Sequence, residues 1–255
     1  MIRWLARPLG GLIARYLNGC IYRYEPFAIT DPHKLSHVLQ PADVLLVEGD
    51  RRVSTAIKYL TQSTWSHAAI YVGDRLDPSA DPLTARVLVE ADLEEGVIAV
   101  PLGKYAELNT RICRAVGLTP ETQRQVVDYV VARLGNKYDL KNVIDLARYL
   151  LPTPPVPVSW RRRMLALGSG DPTRAICSTL IAQAFQSIRY PILPHIERPG
   201  TVDKKLQSTV KEILHIRHYS LFAPRDFDIS PYFRVIKPTI EHNFDYRVLS
   251  WADSA

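Results

Sequence analysis

The chain has 255 residues, of which 47% are hydrophobic and 23% charged, a composition typical of a globular protein. Its net charge of +6 favours mild attraction to anionic surfaces, but charges of both signs are interspersed and no nucleic-acid-binding module is recognisable. The 3 cysteines are far apart, which argues against a disulfide framework or a structural zinc site and favours a reducing, cytoplasmic compartment.

Residues 1–17 combine apolar and aromatic side chains with arginines. The longest uncharged stretch, from Pro8 to Ala14, is too short to span a bilayer, and no signal-type cleavage site follows it. Two interpretations stay open. The segment forms an amphipathic helix that lies on the inner face of a membrane, or it packs on its own domain or on a partner.

Short apolar segments between residues 42 and 116 predict strands. The segments are "ADVLLV", "WSHAAIYVGD", "RVLVEAD", "GVIAVPL" and "TRICRAV", and helical spacing predicts a helix over 53–60 after the first of them. The close spacing of the second, third and fourth segments suits an antiparallel meander, because parallel strands need longer crossovers. In the last segment, Cys113 has a simple core or edge role.

The second half of the chain predicts helices. Thr119 and Pro120 begin one that continues to Gly135, and residues 139–151 predict another. Residues 152–173 are rich in proline and arginine and predict an irregular loop of the functional or mobile kind. A third helix, "RAICSTLIAQAF", buries one face formed by Leu180, Ile181, Ala184, Phe185 and Ile188.

These elements predict one α+β domain in which an antiparallel sheet packs with helices. We place this domain at residues 40–236, after an N-terminal amphipathic segment at 1–39 and before a C-terminal tail at 237–255. No transmembrane helix is expected.

Cys177 falls in or near the first turn of the third helix, where free backbone N–H groups and the helix dipole favour a thiolate. The alternative is a small buried apolar residue, which many free cysteines are. A catalytic cysteine also needs a base and a polar group that orients the base. His67, at the start of a strand among small residues, is the candidate base, unless it is a structural histidine.

Glu90 is a carboxylate inside an otherwise apolar strand, where a charge is costly unless it is paired or points into a polar cleft. If its strand neighbours that of His67, Glu90 can hold the imidazole in the productive tautomer. The alternative is an edge or solvent-facing residue. The same three side chains, Cys177, His67 and Glu90, could instead hold a metal ion, although no local ligand pair supports this.

Five segments in order resemble the YiiX/YebB-like cysteine hydrolases, a circularly permuted, papain-like branch of the NlpC-type superfamily. The segments are "ADVLLVEGDRRVSTAIKYLTQSTWSHAAIYVGD", "VLVEAD", "LGNKYDLKN", "ICSTLIAQAF" and "FAPRDFDISPYF". The resemblance covers roughly residues 40–236, and His67 precedes Cys177, as the permuted order requires.

The resemblance implies the roles of the site residues. The nucleophile falls on Cys177, the general base on His67 and the third polar position on Glu90. The family's Gly-x-x-Tyr segment matches Gly135 and Tyr138, which implies that Tyr138 lies beside the thiolate and helps bind the oxyanion. The alternative for Tyr138 is an aromatic residue that packs between two helices.

The sequence therefore predicts a thiol-dependent hydrolase or acyltransferase that acts on an amide or ester through a Cys-His-Glu triad and a thioester. The substrate is a small molecule, a lipid or a peptide, and no cofactor, metal or nucleic acid is expected. The alternative is a binding module that keeps the papain-like fold without turnover.

Overall fold

The computed structural model describes residues 19, 30–78, 81, 83–92, 95–137, 176–197, 213–215, 218–241, 244–245 and 247. The predictions for residues 1–17, Tyr138, the helix at 139–151 and the loop at 152–173 lie outside these ranges. Within them, no helix is both long and apolar enough to cross a membrane.

Six antiparallel strands form the main sheet, in the order β4-β3-β2-β1-β5-β8. The first five are β1 (Val44–Val47), β2 (His67–Tyr71), β3 (Leu88–Asp92), β4 (Gly96–Val100) and β5 (Thr110–Ala115). They confirm the predicted segments, and β2, β3 and β4 form the predicted meander. The sequence did not assign the edge strand β8 (Phe233–Ile236), which pairs with β5 through Cys113 and Val235. Two further strands, β6 (His195–Glu197) and β7 (Ile213–His215), pair as a small separate sheet.

The central strands are buried on both faces, which explains their continuous apolar sequences. Val44 and Leu46 of β1 belong to one apolar core, while the alternate residues Leu45 and Val47 belong to a second core on the opposite face. Cys113 is fully buried in the first core, as its predicted core role requires. The fold is therefore a sheet covered on both faces, in agreement with the predicted α+β class.

Helices cover the two faces. They are α1 (Pro32–Val38), α2 (Arg52–Thr61), α3 (Pro120–Val131), α4 (Ile176–Ser187), α5 (Pro224–Asp228) and α6 (Pro238–Glu241). The α4 helix packs on β2, β3 and α3, and it buries four of the five residues predicted for its apolar face, Leu180, Ile181, Ala184 and Phe185. The fifth, Ile188, follows the last residue of the helix and is partly buried against the same core. On the opposite face, α1 and a short 3₁₀ helix at Leu102–Tyr105 supply apolar side chains to the second core.

At one end of the strands, the end of β1 meets the starts of β2 and β5, because Val47 lies opposite both His67 and Thr110. The turn after β1 fits closely against the segment that precedes His67. Gly49 donates its N–H to Ser66 Oγ at 2.9 Å, and a Cβ at this glycine would lie 2.3 Å from Ser54 Oγ. Only glycine therefore allows this approach without a shift of its neighbours.

Candidate active site

His67 and Glu90 lie on the adjacent strands β2 and β3, near this end of the sheet. Ala69 of β2 is opposite Glu90, and His67 shares a face with Ala69 because it lies two positions earlier on the strand. The imidazole Nε2 of His67 is 3.1 Å from Glu90 Oε2. Glu90 is only 1% exposed, so its alternative as an edge or solvent-facing residue is wrong.

Cys177 is the second residue of α4 and is 4% exposed. It lies close enough to His67 for its thiolate charge and its hydrogen-bonding capacity to raise the pKa of the imidazole, although the two residues are far apart in sequence. Because Glu90 occupies Nε2, the ring nitrogen left for the thiol is Nδ1. The structure thus brings three of the four predicted site residues together, and their catalytic roles stay predictions. The fourth, Tyr138, lies outside the described residues.

The charges of this group depend on one another. Burial alone would lower the pKa of His67, but the negative charges of Glu90 and a Cys177 thiolate, with their hydrogen bonds, raise it to about 10. Burial would raise the pKa of Glu90, but His67 and Lys104 lower it to about 2. At neutral pH the arrangement therefore favours a carboxylate beside an imidazolium.

The direction of each pKa shift defines the pH range in which His67 and Glu90 stabilise the fold. The folded-state pKa of His67 is raised, so its contribution is complete below the ordinary value near 6.5 and is lost as the pH rises towards 10. The pKa of Glu90 is lowered, so its contribution is present above the ordinary value near 4.5 and is lost as the pH falls towards 2. Both contributions are complete at slightly acidic pH.

Two residues that sequence reasoning missed complete the surroundings of Glu90. Lys104 Nζ donates a hydrogen bond to Oε1, and Tyr105 Oη donates one to Oε2, which His67 also contacts. Burial and the Glu90 charge raise the pKa of Tyr105 well above its usual value, so its hydroxyl stays a neutral donor. Glu90 is therefore fixed by three donors, and its side chain has little freedom to turn away from His67.

The sequence indicated that Glu90 needs hydrogen-bond donors, but not which residues supply them. A carboxylate within an apolar strand requires partners, and this requirement was recognised at Glu90. The position of the partners depends on the 3₁₀ helix after β4, which carries Lys104 and Tyr105 back over the sheet face. Nothing in the local pattern of "LGKY" indicates this path.

Cys113 differs from Cys177 in its surroundings. It is enclosed in the sheet, and burial raises the pKa of its thiol far above the usual value. A thiol that resists ionisation is a poor nucleophile. Of the two cysteines in the described ranges, only Cys177 is near a base.

We expect Lys104→Met to move the acid limb of the pH–activity profile upward by about one unit, equivalent to about 1.4 kcal/mol. Lys104 lowers the pKa of Glu90, so its loss lets the carboxylate take up a proton at higher pH and release His67. The measurement is kcat/KM across pH, with Lys104→Arg as the control that keeps the charge. An unchanged acid limb in Lys104→Met would contradict this role.

Among the described residues, no group of three or more His, Cys, Asp or Glu side chains could hold a metal ion. Backbone N–H groups of the first turn of an α-helix have no acceptor within the helix and can face a developing negative charge. Cys177 is the second residue of α4 over its described range, so its N–H is a candidate for this role. The arrangement can therefore supply a nucleophile, a proton carrier and an anion-binding amide in one place.

A family of known proteins matches part of this chain. Residues 38–149 match the family described as permuted papain-like amidase enzyme, YaeF/YiiX, C92 family. The match includes His67, Glu90, Lys104 and Tyr105 and ends before Cys177. It confirms the resemblance that the sequence predicted, and the family supports an activity of the cysteine hydrolase type.

One solved structure similar to this chain is described as the crystal structure of metalloprotein yiiX from Escherichia coli O157:H7. The two chains share 14% identity with a TM-score of 0.44, and the alignment covers 78% of this chain and 96% of the other. No curated protein matches the chain.

Proposed function

Because residues 38–149 match the family of permuted papain-like amidases, we propose that this chain cleaves an amide or ester bond with Cys177 as nucleophile. His67 acts as the proton carrier and Glu90 as the group that orients it. The observation that carries this proposal is the position of His67, whose ring is hydrogen-bonded to Glu90 and whose pKa is raised by both Glu90 and Cys177.

The proposed reaction is acyl transfer through a thioester. The Cys177 thiolate forms a bond with the carbonyl carbon, and the resulting oxyanion accepts a hydrogen bond from the backbone N–H of Cys177. The carbon–leaving-group bond then breaks, and the imidazolium of His67 donates its proton to the departing nitrogen or oxygen. In the second half, His67 takes a proton from water, whose oxygen displaces the sulfur and releases the acid.

Glu90 acts through His67 rather than on the substrate. Its carboxylate holds Nε2 and so leaves Nδ1 for the sulfur, while its charge stabilises the imidazolium. Lys104 and Tyr105 keep the carboxylate in place. Tyr138 remains our candidate for a second oxyanion donor, by the family resemblance alone.

The substrate class is a separate part of the proposal. We propose a lipid or peptide substrate, met at a membrane surface if residues 1–17 form the amphipathic helix that their sequence allows. A second acceptor in place of water would make the enzyme an acyltransferase, because an alcohol or amine can resolve the same thioester. With that helix on the membrane, the protein would act in the cytoplasm, at the inner face of the membrane.

The proposal is tested by a screen of acyl amides and acyl esters of lipids and peptides, quenched in acid and followed by mass spectrometry. We expect a substrate whose acyl mass remains on the peptide that contains Cys177, and no such adduct in Cys177→Ala. Adducts on another residue, or equal turnover by Cys177→Ala, would overturn the assignment. A failure of every substrate to acylate Cys177 would favour the alternative of a binding module without turnover.

A further inference from the structure

A polar cavity of roughly 600 Å³ lies at the same end of the sheet as His67. Its lining includes Glu48, which follows β1, and Trp65, two positions before His67. Arg111 of β5 also lines the cavity and follows Thr110, which shares with His67 a pairing to Val47. The cavity is therefore built on the strand ends that also carry the candidate base.

One wall of the cavity is an ion pair with a fixed carboxylate. Lys58 Nζ of α2 is 3.2 Å from Glu48 Oε1, and Asn109 donates its side-chain N–H to Glu48 Oε2 at 2.7 Å. Both carboxylate oxygens thus have donors, and the charges of Lys58 and Glu48 offset each other.

A second ion pair also lines the cavity. Arg111 donates to both oxygens of Asp228 at 2.7 and 2.9 Å, and the indole N–H of Trp65 donates to Asp228 at 3.0 Å. The guanidinium carbon of Arg111 lies 4.9 Å from the centroid of the Trp65 ring, within range of a cation–π contact. The charges of Arg111 and Asp228 also offset each other.

Arg225 of α5 supplies the remaining charge. It donates one N–H to the carbonyl oxygen of Thr61 at 2.5 Å, and no carboxylate among the described residues pairs with it. A guanidinium is always charged and has five N–H donors in a fork that matches a carboxylate or phosphate. Arg225 therefore gives the cavity one positive charge in excess, with donors left over.

We propose that this cavity binds the carboxylate or phosphate group of an anionic substrate through Arg225. The role as a substrate subsite rests on the hydrolase activity proposed above, whereas the binding of an anion does not. The Glu48 and Asp228 carboxylates of the lining are each paired with a cation, so Arg225 supplies the net positive charge that the ligand's anionic group meets. The substrate class is then an amide or ester that carries a negative charge away from the scissile bond.

The first test measures binding without turnover. Full-length Cys177→Ala protein is titrated with inorganic phosphate and with acetate at constant ionic strength, and the indole N–H resonance of Trp65 is followed, with Trp65→Phe to assign it. We expect a saturable shift with at least one of the anions. Its Kd should rise about tenfold or more in Arg225→Gln, the loss of roughly one charge-assisted hydrogen bond.

Arg124→Gln is the matched control, because Arg124 is an exposed arginine on α3, outside the cavity lining. We expect it to bind the anions as the parent protein does. No shift with either anion, or an equal Kd in Arg225→Gln and Arg124→Gln, would overturn the proposal. A drop in thermal stability of Arg225→Gln with unchanged anion binding would show a purely structural role instead.

The second test measures specificity in the enzyme with Cys177 intact. Two ester substrates are compared, one with a free carboxylate away from the scissile bond and one in which that carboxylate is methylated and neutral. The ratio of kcat/KM for the charged substrate to kcat/KM for the neutral one should fall about tenfold in Arg225→Gln and stay constant in Arg124→Gln. An unchanged ratio would overturn the substrate role. Because the binding test uses the Cys177→Ala protein, an inactive enzyme would refute the proposed hydrolase while leaving the anion site measurable.

Discussion

Replacing Cys177 by alanine or by serine is expected to abolish turnover, with a loss on the order of 10⁶ in kcat, as when a catalytic nucleophile is removed elsewhere. Serine keeps the shape of the side chain, but its hydroxyl does not ionise beside His67 and so gives no comparable nucleophile. Thermal unfolding of both variants should stay close to that of the parent, because the helix face formed by Leu180, Ile181, Ala184 and Phe185 is untouched.

The same prediction extends to chemical labelling. In a Cys20→Ser background, iodoacetamide should label Cys177 at neutral pH, whereas Cys113 should react only after unfolding, because burial raises the pKa of its thiol. The measurement is peptide mass spectrometry over time, with Cys113→Ala as the matched control that keeps the labelling of Cys177. Equal labelling of Cys113 and Cys177 in the folded protein would show that Cys177 has no special reactivity.

The sheet was predictable because each of its first five strands is a short apolar segment that ends at polar or turn residues. The edge strand β8 was not, since its pairing with β5 joins Cys113 to Val235, far along the chain. Arg234 is exposed and Val235 only partly buried, so the segment lacks the apolar pattern of a central strand. Pairing over that distance is decided by tertiary packing, which local propensity does not encode.

The candidate site was predictable to a similar extent. The position of Cys177 at a helix start and the cost of a carboxylate at Glu90 are local facts that raise a chemical question. Their meeting with His67 depends on how α4 packs on β2 and β3, and the family resemblance supplied that expectation. Lys104 and Tyr105 could not be predicted, because the path of the 3₁₀ helix that brings them to Glu90 depends on the packing of the sheet and not on the local sequence.

His67→Ala is expected to lower kcat/KM by about 10²–10⁴, the usual contribution of a positioned proton carrier. The fold should survive, because the buried Glu90 keeps Lys104 and Tyr105 as partners and is not left as an unpaired charge. The measurement is kcat/KM with the substrate that acylates Cys177, beside thermal unfolding of both proteins.

The pH profile separates this role from a structural one. In the parent enzyme the pKa of His67 is raised to about 10, so the imidazolium persists through neutral pH and the alkaline limb should appear as it loses its proton near that value. His67→Ala should lack this limb, and added imidazole should restore part of the activity if it enters the space left by the side chain. His67→Ala with parental kcat/KM and the same alkaline limb would remove His67 from the reaction, and with it the proposed proton transfer from His67 to the leaving group.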